Sequence, residues 1–204
     1  MPVDDDERLF DAWCSGDQAA GEALFERHYR SVARYFANKA SRDADDLTQR
    51  TFLACVRSRE RFRHASSVRV FIFGVARNVW LRWLRDRARH EGRTCSLENS
   101  VTDIAAGPST LARAQREQAI VLDALRRVPM HYQEVLELHY WEDLPAGTIA
   151  EIVGITEHNV RNRLRRGRLA LQRLLERGAS AIAARRRIAA HMEHWARNAD
   201  PLAT

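Results

Sequence analysis

The residues best suited to chemistry lie between 157 and 168, where His158, Asn159, Arg161, Asn162, Arg165, Arg166 and Arg168 share the outward side of one predicted helix. A guanidinium fork pairs bidentately with the edge of guanine or with phosphate oxygens, and a carboxamide pairs with the edge of adenine. This is recognition chemistry: the set holds no nucleophile–base pair and no acidic metal cluster. An arginine-rich helix facing solvent would show the same residue types, so the elements around it must decide.

Those elements are informative. Ile149 and Val153 suit the inward side of a short first helix, and Ala150 is small where two helices approach closely. Gly154 falls where a turn needs positive φ, which glycine adopts at low cost. Ile155 is expected to pack under that turn, Thr156 to cap the next helix, and Val160 and Leu164 to form its inward edge. This small-residue, turn and cap spacing predicts a helix-turn-helix over 145–171 whose second helix offers a basic face of the width a major groove accepts.

Charge distribution supports a polyanionic partner. The 204 residues carry a formal net charge of +6, with every cation an arginine except Lys39. Residues 1–50 sum to −4, 51–100 to +7, 101–150 to −3 and 151–204 to +6. Two basic blocks suggest two separate contacts with nucleic acid. Cys14, Cys55 and Cys95 are odd in number and widely spaced, which argues against a disulfide framework or a zinc site. No apolar run reaches the ~20 residues of a membrane span, and the acidic start is unlike a signal peptide, so cytoplasmic residence is expected.

Helical periodicity runs through most of the chain. Leu9, Phe10 and Trp13 mark a first helix, ended by Ser15-Gly16-Asp17, with Asp17 as the next N-cap. Leu24, Phe25, His28, Tyr29, Val32, Tyr35 and Phe36 form the stripe of a second helix, and Leu47, Phe52, Val56 and Arg59 mark a third, ending near Phe62. Residues 63–67 read as a loop. A long helix follows from Val68 to about Arg89, with Phe71, Val75, Val79 and Leu84 near one side. Ser, Thr, Asn, Gly and Pro108 make the stretch from 92 a linker; periodicity resumes at Leu111, and Pro129 opens a new element.

Residues 145–171, with Leu125-Arg126-Arg127-Val128-Pro129 and Glu134-Val135-Leu136 upstream, resemble the fourth domain of bacterial RNA polymerase sigma factors. The resemblance implies that the second helix reads the −35 promoter element. Arg161, Asn162, Arg165 and Arg166 stand at the contacting positions, and His158 and Arg168 share that outward face.

Asp43-Ala44-Asp45-Asp46-Leu47-Thr48-Gln49-Arg50-Thr51-Phe52 resembles the signature of the second domain of the same family. There the acidic residues and Gln meet the polymerase β′ clamp, which implicates Asp43, Asp46, Leu47, Gln49 and Phe52. An acidic helix start is also favoured by the helix dipole alone. Phe71-Ile72-Phe73-Gly74-Val75-Ala76-Arg77-Asn78 is similar to the family's −10 helix. Asn78 falls on the position of a pocket for a flipped base, and Arg63, His64 and Ser66 fall in the specificity loop. Arg77, Arg82 and Arg85 are then expected beside the single strand. Trp80 and Trp83 suit base stacking, and suit packing at least as well.

The resemblance is to the extracytoplasmic-function (ECF) group of the sigma-70 family. It implies an all-α fold: two small helical domains, at 1–91 and 113–176, joined by a flexible linker at 92–112, the second containing the helix-turn-helix. Implied partners are core RNA polymerase through its β′ clamp and β flap, promoter DNA and an anti-sigma factor, with no cofactor, no membrane insertion and no enzymatic activity. A stand-alone helix-turn-helix regulator would leave 43–52 and 68–89 without a task. A recombinase or nuclease lacks its catalytic cluster here. Residues 177–204, with Ile182, Arg185, Ala189, Met192 and Trp195 on one helical face, suit a helix packed on the second domain, a regulatory surface or extra DNA affinity.

Overall fold

The computed structural model describes residues 3–62, 67–90 and 113–178, and the described residues form helices and turns without strands. The loop residues Arg63, His64 and Ser66, the expected linker and the tail from 179 lie outside them. Eight α-helices follow in order: α1 Val3–Cys14, α2 Gln18–Ala37, α3 Ala44–Ser58, α4 Val68–His90, α5 Arg113–Arg126, α6 Met130–Tyr140, α7 Ala146–Val153 and α8 Glu157–Gly178. A 3-10 turn at Arg59–Arg61 extends α3.

Local chemistry sets many of the boundaries. The Asp17 carboxylate accepts from the Ala20 N–H at 3.2 Å and caps α2, satisfying a donor the helix cannot. Gly154 ends α7 with φ 69°, in the left-handed region where a Cβ would be strained. Thr156 Oγ1 then accepts from the Asn159 N–H at 3.3 Å at the start of α8.

Helices α1–α4 enclose one apolar centre. Phe10 stacks edge-on against Trp13, Phe62 and Phe71, with ring centroids 5.6, 4.8 and 5.5 Å away. Leu24, Phe36, Leu47 and Cys55 are wholly buried there, and burial pushes the Cys55 thiol up to about 12. Helices α5–α8 surround a second centre built on Val135, Leu138, Ile149, Val153 and Val160.

The two centres are continuous. Helix α4 packs on α3 through one side and on α7 through the other, so its deepest residues are Val68, Ile72, Phe73, Ala76 and Trp80. Phe71, Val75, Val79 and Leu84, the expected stripe, are half-buried against this core. A helix covered on two sides lacks the single stripe on which the expectation rested.

The seam between the halves is polar as well as apolar. Helix α6 turns Gln133, Glu134 and Glu137 into it, and Glu142 follows just beyond; all four are buried. Tyr35 Oη donates to Glu134 Oε1 at 2.7 Å, and Arg77 Nε donates to the same oxygen at 3.1 Å. Asn38 and Gln133 donate to Glu137 Oε1 at 2.9 and 2.8 Å, while Lys39 forms an ion pair with Glu137. Arg34 reaches Glu142 at 2.6 Å and the Trp141 carbonyl at 2.9 Å. Three of the seven carboxylates of the acidic block of 101–150, Glu134, Glu137 and Glu142, are thus turned inward on cations of the N-terminal half. Buried carboxylates require such partners, since an unpaired one costs several kcal/mol, roughly.

Candidate nucleic-acid interface

Helix α8 separates its duties by side. Val160, Leu164, Leu171 and Leu175 are buried. Gly167 lies so close to α6 that a Cβ would meet Leu136 Cδ1 and Tyr132 Cβ at 3.1 Å. The opposite side carries His158, Arg161, Arg165 and Arg166, all exposed, with Asn162 and Arg168 half-buried at its margins. Arg161 pairs with Glu157 one turn back, an exposed contact worth well under about 1 kcal/mol and readily exchanged for phosphate. The residues expected to read a groove therefore share one cationic surface, held at a fixed angle by α7 and α6.

Helix α4 carries the second expected surface. Asn78, Arg82 and Arg85 are exposed, and Arg85 Nε donates to the Leu81 carbonyl at 3.1 Å. Arg77 differs: it turns toward the C-terminal half and is held by Glu134. Arg69, a little over two turns upstream on the same side, donates to the Glu142 carbonyl at 2.8 Å. Trp80 is 1% exposed and stacked on Trp83 at 5.0 Å, so it is a packing residue and not a platform for bases. Its indole N–H is buried without a partner.

The acidic start of α3 projects from the first centre. Asp43 occupies the N-cap position without making a side-chain cap bond, so capping does not account for it. Asp46 and Gln49 are exposed, with Asp46 paired to Arg50 at 2.8 Å. Leu47 and Phe52, expected on the docking face, are buried instead. Phe52 packs against Phe25 and Tyr29, with centroids 4.8 and 6.1 Å away. Both residues support the face from beneath.

Sequence reasoning missed what completes that face. Leu53 is 56% exposed, Tyr29 48% and Val56 40%. Asp46, Gln49, Leu53 and Val56 recur at three- and four-residue steps and so lie along one side of α3. Large apolar groups grouped on a surface mark contact sites more often than singly scattered ones do. The available signal was the helical spacing of Leu53 and Val56 with Asp46 instead of with Leu47.

Two separate stretches match known families. Residues 24–90 match Sigma-70 region 2, and residues 118–171 match Sigma-70, region 4. The ECF RNA polymerase sigma factor SigM of Mycobacterium tuberculosis is 30% identical over 174 residues, covering 83% of this chain and 84% of SigM. The chain belongs to the ECF sigma factors. The RNA polymerase sigma factor CarQ of Myxococcus xanthus is 31% identical over 162 residues, 78% of this ECF sigma factor and 91% of CarQ. Among solved structures, CnrH in complex with the cytosolic domain of CnrY shares the fold, with a TM-score of 0.63 at 23% identity over 86% of this chain and 99% of that one. The sigma factor RpoE, in complex with the anti-sigma factor NepR from Bartonella quintana, gives 0.57 at 22% identity, over 77% and 95%.

An ECF sigma factor acts in promoter-specific transcription initiation, and the region 2 match gives the N-terminal half a role that a stand-alone regulator would not need. No helix among the described residues is long and apolar enough to cross a membrane.

Proposed function

We propose that this ECF sigma factor divides promoter recognition between residues 1–91 and 113–176. The exposed side of α8 enters the major groove of the −35 duplex. Arg161, Asn162, Arg165 and Arg166 read bases or hold phosphates, flanked by His158 and Arg168. The −10 non-template strand runs along α4, with Asn78 at a flipped base and Arg77, Arg82 and Arg85 beside its backbone. Arg63, His64 and Ser66 belong to the same strand-reading set.

Asp43, Asp46 and Gln49, with Leu53, Val56 and Tyr29, dock on the polymerase β′ clamp, while Leu47 and Phe52 hold that face in shape. The second domain meets the β flap. The protein works without a catalytic centre of its own, in the cytoplasm where the polymerase resides, and an anti-sigma factor restrains it, as NepR pairs with RpoE in the solved complex. The observation that carries the reading is the cationic exposed side of α8 set against a buried side that fixes its pose.

The test is transcription from a promoter library by core polymerase with and without the purified protein. Specific transcripts whose start sites align on two shared upstream elements are expected. Absence of any protein-dependent transcript would overturn the proposal.

A further inference from the structure

The seam between the two halves withdraws part of the promoter-binding surface. Helix α4 offers Asn78, Arg82 and Arg85 to solvent, but Arg77 and Arg69, on the side facing the C-terminal half, are occupied by Glu134 and Glu142. Tyr35, Asn38 and Lys39 bind the same acidic segment from α2 and the residues after it. Lys39 is the one lysine in the chain, and its side chain is fully buried. Its ammonium also donates to the Tyr35 carbonyl at 2.8 Å and lies 3.8 Å from the Tyr35 ring centroid. A compact ammonium with three donors fits this corner, whereas a planar guanidinium needs more room.

Geometry makes the arrangement exclusive. The −10 and −35 elements lie about 25 base pairs apart, hence about 85 Å along the axis at ~3.4 Å per base pair. With α4 packed on α7 and Arg77 within 3.1 Å of Glu134, the two reading surfaces cannot span that interval. Residues 91–112 separate α4 from α5 in sequence, and a chain of that length reaches about 75 Å when extended. Added to the width of the helices themselves, this is enough to bridge the elements once the halves part.

We infer that the buried carboxylates of α6 and Glu142 form an intramolecular latch that keeps the free protein closed and holds Arg77 and Arg69 away from nucleic acid. The latch opens when polymerase and promoter compete for the two halves. Glu134 stands in for a phosphate on Arg77. This rests on the promoter reading above for its consequence, but not for its existence, because closure is a property of the isolated chain.

The experiment compares wild-type protein with the double variant E134Q/E137Q. Small-angle scattering of each free protein reads the separation of the halves, and transcription by core polymerase at sub-saturating protein reads the consequence. Wild type is expected to scatter as one closed body and the variant as two separated ones, each half keeping its helical circular dichroism. The variant should give about three- to tenfold more transcript, because the competent fraction scales apparent affinity. If E134Q/E137Q loses its helical signal, E142Q, nearer the edge of the seam, is read in its place with the same expectations.

Separated halves in the wild-type profile would overturn the latch, as would a variant that opens without gaining transcript. If wild type gives no specific transcript, the promoter reading fails while the scattering result still decides whether the latch exists.

Discussion

Arg77 on α4 donates to a Glu134 carboxylate oxygen on α6 that also accepts from Tyr35. The three side chains join residues 57 and 99 positions apart in the sequence. Burial and the Glu134 charge together push the Tyr35 phenol well above its ordinary value, so it remains a donor. Groups in one network couple by about 0.5–3 kcal/mol. A double-mutant cycle of Arg77→Met and Tyr35→Phe, read by denaturant unfolding, should give a coupling in that range. Strict additivity would show that Glu134 serves each partner separately.

Arg165 and Arg166 are exposed and, unlike Arg161, have no acidic partner to surrender among the described residues. Arg165→Ala and Arg166→Ala should each impair use of the −35 element. If the lost contact is to phosphate, each should lower the slope of log K against log salt by about one. Fluorescence anisotropy on duplex DNA across a salt series checks this, and unchanged promoter choice in both would remove them from the reading face.

Asn78 projects beside the engaged Arg77 but makes no hydrogen bond that its fold requires. Asn78→Ala should slow opening of the −10 region, seen by permanganate footprinting, while affinity for core polymerase and the melting temperature stay near wild type. Full melting by this variant would take Asn78 out of the pocket.

Leu53 is the most exposed of the large apolar residues on the described surface. Leu53→Glu should weaken binding to core polymerase at least tenfold, about 1.4 kcal/mol or more. Unfolding stability should change by less than about 0.5 kcal/mol, as for a typical surface position. An equal loss in both measurements would make Leu53 a structural residue.

His28 is buried beside Asp6, with Nε2 2.9 Å from the carboxylate. Burial is the largest influence and lowers its proton affinity, Asp6 raises it, and Arg69 and Arg27 nearby lower it, with a net shift downward. The folded state therefore favours the neutral ring, whose Nε2–H donates to Asp6. A value below the unfolded one, about 6.5, means the unfolded chain binds the proton more readily. Stability should hold above that pH and decline as pH falls from about 6.5 toward the folded value, at up to about 1.4 kcal/mol per pH unit. Melting scans from about pH 7.5 to 5.5 check this, and His28→Gln should flatten the decline.

Local devices were legible in the sequence. Asp17, Gly154 and Thr156 perform the cap, turn and cap that their types and positions announce, because such motifs depend on a few adjacent residues. The inward edge of α8 followed from Val160 and Leu164 for the same reason. What failed to show depends on partners remote in the chain. Glu134 and Glu137 look like a solvated face until Tyr35, Asn38, Lys39 and Arg77 are brought to them. Helix α4 hides its inward residues because two neighbours cover it. Leu53 and Val56 read as core by residue type alone, although a surface made to bind another protein uses the same types.

The division of labour along α8 bears on how such a protein diversifies. Val160, Leu164 and Gly167 are fixed by what they touch, whereas His158, Arg161, Arg165 and Arg166 touch nothing the scaffold needs. With the proposed reading role at the latter, substitutions there would retarget the molecule to new promoter sequences at little thermodynamic penalty, so descendants of one ancestral gene would acquire separate regulons while inheriting the same skeleton.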